Sequence, residues 1–579
     1  MQAQYARAQG VAGATNSRRL HGQRAALRRA GRCLHAAAPV RRRLLLAPRA
    51  GAALCADEAE TARGVALARW LSRWRFDDCG VRVTFLNERD RFAAFATRPL
   101  RAGDPLVRVP HDALFTPAVA RHCAACAAVA AAAPLMDWQL LVLALLHERS
   151  LGEASAWAPY LAVLPPQDAG DAFWHPLLWP AEFAAHTLAG SPMLAKLQSR
   201  WATCAEDGAL LRAAIAAAAT VSPGVQLPQP PSDADVRWAS SVLLSRAFYL
   251  EDVDGVGDEE GSEDDDESEF ASYSTLALVP WADRYVLRAG VLDHHRLTVA
   301  PCSLNHSCAA GDAAVLRYDR ASRCAVLHAH RAYAQGDQVF DSYGVGRAPV
   351  DTLLDYGFAE LPAEDEDEDA DELGEEDSTV FPVDRIDLPA SALGPVPVAN
   401  AALLAAVGLA PEAATAALGG DGPDDGVLAW ARVASATPAE LGEAGWRDAD
   451  AAAVTRSRAS GQPLPAAVQQ LAFNVMGSFI ARLSASNEAS ALQRLSTACK
   501  VQLAAYPTAL EADETQLDEL SEMLAADARE YAKLHALRAL ISEKRALEGA
   551  SAAIAMAQGE LRKTADRATT AKARGRRRL

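Results

Sequence analysis

The chain has 579 residues, half of them hydrophobic, and a formal net charge of −17 at pH 7. At roughly 100–200 residues per domain, that length calls for two or three domains, with ample apolar content for packed cores. So acidic a body excludes general affinity for nucleic-acid phosphates, which needs clustered Lys and Arg, and suits protein partners.

Met1 to Ala56 carries 11 arginines and no Lys, Asp or Glu, with acids beginning at Asp57. Arginine-rich and acid-free is the composition of an organelle transit peptide. It predicts import into an organelle, and composition does not separate chloroplast from mitochondrion. No apolar run reaches the roughly 18 residues of a membrane span; the best, Leu140 to Leu146, is far too short, so no membrane is expected.

From Val81 the pattern becomes strand-like: Val81–Phe85, Phe92–Ala96, then Leu106–Val109 after an Arg101-Ala102-Gly103-Asp104 turn. Ala118 to Trp201 reads as helical, and Val236 to Leu250 as a further helix offering Trp238, Val242 and Phe248 to the core. Glu251–Glu269 is almost wholly acidic, Gly or Ser and predicts a solvated loop, as does Glu364–Asp377. Strand signals return at Ala313–Tyr318, Cys324–Ala329 and Gln338–Phe340. From Ala390 onward the chain reads as helical, with breaks at Gly419–Gly426 and Pro463–Pro465, a last clear helix at Leu517–Glu548 and a basic end.

The ten cysteines are scattered, which fits a reducing compartment rather than a disulfide scaffold. Cys123 and Cys126 form a lone C-x-x-C in an alanine run with no second pair at zinc-finger spacing, and read as packing residues on a helix.

Three stretches carry chemistry: Leu304-Asn305-His306-Ser307; Gly336-Asp337-Gln338-Val339-Phe340-Asp341-Ser342-Tyr343-Gly344, followed by Asp355-Tyr356-Gly357-Phe358; and Tyr506-Pro507-Thr508-Ala509-Leu510-Glu511-Ala512-Asp513-Glu514. The first two resemble the paired signatures of SET-domain protein methyltransferases. The third resembles the C-terminal substrate-binding domain of the Rubisco large-subunit lysine methyltransferases. Trp138–Arg149, Ser155-Ala156-Trp157, Tyr160–Pro165, Trp238, Ser245–Phe248, Asn487-Glu488 and Glu543-Lys544 support the match in the family's order, across residues 80 to 550.

The resemblance implies an α+β fold. A SET domain (60–360), with a helical insertion at 118–250 and an acidic loop at 251–269, is followed by an acidic linker (361–378), an all-α substrate-binding domain (379–550) and a basic tail (551–579). It implies S-adenosyl-L-methionine as cofactor and a protein substrate held by the helical domain. By the same resemblance, Tyr343 lies near the transferred methyl and Tyr356 lines the lysine channel. Asn305 and His306 hold the amino-acid end of the cofactor, and Arg246 meets its carboxylate.

Two departures stand out. The family's glycine-rich E-G-x-G stretch, where backbone approaches the cofactor, is here Asp90-Arg91-Phe92-Ala93. Losing glycine restricts that approach, leaving Asp90 and Phe92 as the aligned candidates. The family's P-x-x-D-x-x-N-H-S run is also interrupted: Cys302 stands where its aspartate belongs, while Pro280-Trp281-Ala282-Asp283 lies upstream. Arg284–Cys302 therefore reads as an insertion, real or from a retained intron, with Asp283 as the cofactor residue and no metal role for His294 and His295. No cysteine cluster follows Tyr356, so the zinc-bound post-SET module of many histone methyltransferases is missing.

By the resemblance, the expected activity is lysine N-methylation of a plastid protein such as Rubisco large subunit or aldolase, by a monomer in the chloroplast stroma, with the mitochondrion as second choice. Two alternatives stand beside it: a non-catalytic module on the SET scaffold, and a protein-histidine methyltransferase.

Overall fold

The computed structural model describes residues 58–74, 76–85, 92–165, 167, 172–251, 253, 274–282, 305–306, 316–341, 347–361, 383–522 and 528–576. The expected transit segment, most of both acidic runs and the 284–302 insertion lie outside these residues. Residues 62–579 form one unit; of the unit before it, only Glu58–Thr61 are described.

Helix α1 (Glu58–Leu71) buries Leu67, Trp70 and Leu71, a one-face spacing. The Trp70 indole donates to the Ala156 carbonyl at 2.8 Å and its ring packs edge-on against Trp74. The strand signals are then met: β1 (Val81–Phe85), β2 (Phe92–Ala96) and β3 (Pro105–Pro110).

The helical insertion runs through α2 (Pro117–His122), α3 (Ala124–Ala132), α4 (Asp137–Ser150), α5 (Ala158–Leu161), α6 (Ala181–Thr187), α7 (Pro192–Val221) and α8 (Asp233–Arg246). α8 begins with a reciprocal cap: Ser232 Oγ accepts from the Asp235 N–H, and the Asp235 carboxylate accepts from the Ser232 N–H at 2.9 Å. Nearly every residue from Val236 to Arg246 is buried, as expected of a helix crossing the middle of a domain. Two of its buried hydroxyls are satisfied locally, Ser241 donating to the Trp238 carbonyl and Ser245 to the Ser241 carbonyl. The supporting matches of the insertion meet around it. The Trp238 indole donates to the Pro165 carbonyl at 2.7 Å, the Arg149 guanidinium stacks on the Trp238 ring, and Ser155 donates to Glu148.

The helix predicted to reach Leu250 stops at Arg246, where β4 (Ala247–Glu251) begins, paired antiparallel with β5 (Ser274–Leu278). Phe248 is thus a half-buried strand residue rather than a helix residue in the core. β6 (Asn305–His306), β7 (Arg317–Asp319), β8 (Cys324–His328) and β9 (Gln338–Asp341) complete the N-terminal region. One sheet has the order β1-β2-β9-β6, another β3-β8-β7. α9 (Pro349–Tyr356) closes the region.

The C-terminal region is not purely helical. β10 (Arg385–Pro389), β11 (Thr415–Gly419) and β12 (Gly422–Pro423) form a small antiparallel sheet, with α10 (Val398–Ala406) between its first two strands. Sequence reading missed it: β11 and β12 are short and Ala- or Gly-rich, while β10 alternates buried Ile386 and Leu388 with more polar neighbours over only five residues. α11 (Asp425–Ser435), α12 (Pro438–Glu443), α13 (Asp448–Ser460), α14 (Ala466–Ser478), α15 (Ala485–Ala505) and α16 (Leu510–Glu522) follow. The last helix, α17, runs from Ala528 to Arg576, so most of the stretch read as a basic tail is helical. Leu388, Leu418, Val433, Leu495, Leu547 and Ile554 belong to one core joining sheet and helices.

The third sequence signature is an internal brace. Tyr506 donates to Glu543, Lys544 donates to the Thr508 carbonyl at 2.8 Å and ion-pairs with Asp513, and Arg545 pairs with Glu514 at 2.7 Å. Asn487 and Glu488 act likewise. Asn487 donates to the Arg432 carbonyl, and Glu488 receives a bidentate pair from Arg432. The same seam reaches the insertion: Ser191 also donates to Glu543, and Lys196 pairs with Asp387. Gly190, with φ +80°, sits where a Cβ would lie 2.3 Å from the Ala505 carbonyl oxygen, so no other residue fits that crossing.

Lys544 and Asp513 are both 2% exposed. Lys544→Met leaves a buried carboxylate uncompensated and is expected to cost about 3–5 kcal/mol, most of it recovered in Lys544→Met/Asp513→Leu. Urea unfolding of the single and double variants measures this.

Complete burial pushes the Glu543 carboxyl up to about 7, outweighing the hydroxyls of Ser191 and Tyr506 that favour its charged form. An acid raised in the native state binds its proton more tightly folded than unfolded. The stabilisation is therefore full below about pH 4.5 and lost as pH rises through about 7. It is on the order of 3 kcal/mol at most. Melting temperature is expected to fall across that window, and Glu543→Gln to flatten the fall.

Candidate active site

Two sequence signatures separated along the chain become neighbours. β6 pairs parallel with β9, Asn305 opposite Phe340 and His306 opposite Asp341. β2 pairs antiparallel with the other edge of β9, Ala94 opposite Val339. The Phe92 end of β2 and the Asn305-His306 pair thus converge on the Asp341 end of β9. Tyr343 follows that end by two residues and lies outside the described residues, as do Asp90 and Asp283.

Arg246 occupies the last position of α8 and is only 3% exposed. Ala247 lies opposite Leu278, so the chain leaving β5 through Val279-Pro280-Trp281-Ala282 starts beside the Arg246 end of α8. Trp281 is buried with φ +87°, a costly conformation for a bulky residue that must be held by its surroundings, and its ring packs against Phe76.

Tyr356 ends α9, and its position is set by the residue before it. Asp355 is buried and takes a salt bridge from Arg200 of α7 at 2.7 Å and another from Arg347 at 3.3 Å. Arg200 also donates to the Leu354 carbonyl. His175 completes the clamp. Its Nδ1 accepts from the Leu177 N–H at 3.1 Å, so Nε2 carries the proton and donates to the Asp355 carbonyl at 3.1 Å. Full burial, with the charges of Arg200 and Arg246 adding to it, lowers the His175 pKa to about 3, and the ring stays neutral. Arg246 and the Tyr356 segment thereby share a neighbour. The Tyr356 ring is half-buried, with the Arg347 guanidinium 5.2 Å from its centre and Phe358 packed at 6.1 Å.

Gly357 has φ +86°, and a Cβ there would lie 2.0 Å from the Trp174 carbonyl oxygen. It lets the chain turn out of α9 while pressed on that backbone. His175, Arg200 and Arg347 went unread in the sequence. Each is an ordinary residue far along the chain from Asp355, and no local pattern links them.

Residues 399–547 match the family model described as Rubisco LSMT substrate-binding. Comparison with curated proteins gives no match. Among solved structures, the SET domain of LSMT bound to lysine and AdoHcy is 19% identical with a TM-score of 0.57, covering 86% of this chain and 92% of that one. Rubisco LSMT bound to AdoMet is 18% identical with a TM-score of 0.55, covering 86% and 93%. Rubisco LSMT bound to sinefungin and monomethyllysine gives 18% and 0.56 over the same shares.

The chain has the fold of Rubisco LSMT. The resemblance drawn from its signatures therefore holds for architecture across both regions, and the α+β class stands. Among the described residues no helix is long and apolar enough to cross a membrane.

Gly357→Ala meets both a left-handed backbone and the Trp174 carbonyl. It is expected to destabilise the protein by more than about 1 kcal/mol, read as a lowered urea midpoint.

Proposed function

We propose that this chain is an S-adenosyl-L-methionine-dependent protein-lysine N-methyltransferase acting, as a monomer, on a plastid protein such as Rubisco large subunit or aldolase. The observation that carries the reading is the parallel pairing of Asn305-His306 with the Gly336–Gly344 signature strand, in a chain with the fold of Rubisco LSMT. Its solved relatives hold AdoMet, AdoHcy, lysine and methyllysine.

The residues suit such a cofactor. A buried guanidinium at Arg246 fits a carboxylate, and Asn305, His306 and Asp283 offer polar groups for an amino-acid end. When bound, the cofactor supplies a sulfonium methyl group, which the lysine nitrogen takes in one displacement as the S–C bond breaks. The chain's own work is to hold the amine in line, keep water out and present oxygen dipoles, tasks assigned to Tyr343 and Tyr356. A free lysine near pKa 10.4 is mostly protonated at neutral pH, so an apolar tyrosine-lined channel favours the neutral, reactive amine. The C-terminal region would hold the protein substrate.

Arg91-Phe92-Ala93, where the family has glycines, favours a second reading: a SET scaffold kept for binding without catalysis. Transfer of labelled methyl from S-adenosylmethionine to stromal proteins separates the two, using residues 57–579 beside the same chain lacking 284–302. Label on a discrete protein is expected. Label only with the shortened chain would place the defect in 284–302, and no label with no cofactor binding would favour the second reading. Mapping the methylated residue distinguishes lysine from histidine. Tyr343→Phe is expected to lower kcat about 100-fold with cofactor affinity little changed. Import of a fusion carrying residues 1–56 into isolated chloroplasts, set against mitochondria, tests the targeting.

A further inference from the structure

The C-x-x-C that reads as packing residues gains a third member in the fold. Cys123 is the elbow between α2 and α3, closing the first and capping the second. Cys126 lies in the first turn of α3 and is fully buried. The three-residue spacing at a helix start sets both sulfurs on one side. His147, in the last turn of α4, faces them. The two Sγ atoms and a ring nitrogen of His147 all lie within 4.8 Å of one another.

We propose that Cys123, Cys126 and His147 form a zinc site that staples the α2–α3 elbow to α4, independent of the methyl-transfer centre. Ligands held about 2.0–2.3 Å from one ion stand no more than about 4.6 Å apart, so small side-chain rotations close the cluster around a cation. Two thiolates and an imidazole are the donor set of a borderline-soft cation, whereas calcium and magnesium take oxygen. The fourth tetrahedral position is left for water.

Two further observations point to a cation. His147 Nδ1 is buried and has no hydrogen-bond partner among the described residues, an expensive state that a metal bond would relieve. Glu148, the residue after His147, is also buried, and its carboxylate accepts from Ser155 at 2.6 Å beside Cys126. Two thiolates neutralise a divalent ion, and this carboxylate adds attraction from nearby. A redox role suits the pair less well: Cys126 has no exposure to a disulfide-exchange partner. The staple would stiffen α4, whose residues Trp138 to Leu145 are all buried and pack against α8.

The test is elemental analysis of the full chain purified without added metal, followed by replacement of the ion with cobalt. About one zinc per chain is expected, together with thiolate-to-cobalt charge-transfer absorption and the strong visible bands of a tetrahedral site. Cys126→Ser and His147→Gln should each weaken zinc binding at least ~10-fold, and a strong chelator should lower the melting temperature of the parent but not of these variants. Cys123→Ser, at a half-exposed position, serves if burial makes the others fold poorly. Absence of bound zinc and of the cobalt bands in the parent protein overturns the proposal, as does a Cys123–Cys126 disulfide in the purified chain. Cobalt bands unchanged by His147→Gln overturn the three-ligand site.

Discussion

Asp355 is a carboxylate taken out of water, and the geometry of the Tyr356 segment depends on keeping it satisfied. A buried charge survives only with partners, and here they are Arg200 on α7 and Arg347 just before α9, while His175 holds the backbone carbonyl of the same residue. Their convergence fixes the end of α9 against the helical insertion. Gly357 then allows the chain to leave along the Trp174 backbone. Because His175 stays neutral, its single N–H has one destination, and the clamp has one arrangement.

The C-terminal signature changes meaning once its contacts are visible. Tyr506, Thr508, Asp513 and Glu514 spend their polar groups on Glu543, Lys544 and Arg545 of the long last helix. A buried polar network must be complete to be tolerated, and these bonds complete the one around Tyr506 and Asp513. The seam through Glu543 and Lys196 also joins that region to the helical insertion through one buried and one partly exposed polar contact.

The strand arrangement explains how departures from the family pattern bear on the site. Phe92 starts β2 at the same sheet end that receives Asn305 and His306. The segment Arg284–Cys302, read in the sequence as an insertion, falls between β5 and β6 along the chain.

Much of the fold was legible in the sequence because its signals are local. Alternating apolar residues gave β1, β2 and β9, while turn residues bounded them. The order of the signatures gave the two-part architecture and the meeting of Asn305-His306 with the Tyr343 stretch. Three short strands at 385–423 escaped: two are Ala- or Gly-rich, and the third alternates over only five residues. The length of α17 was hidden by its charged, Ala-rich surface beyond Glu548. Only the tertiary structure could decide the partners of Asp355, the internal role of the Tyr506–Glu514 motif and the approach of His147 to Cys123 and Cys126. Those are pairings across distant segments, set by how helices pack, and one strand of sequence records the residues without recording which ones meet.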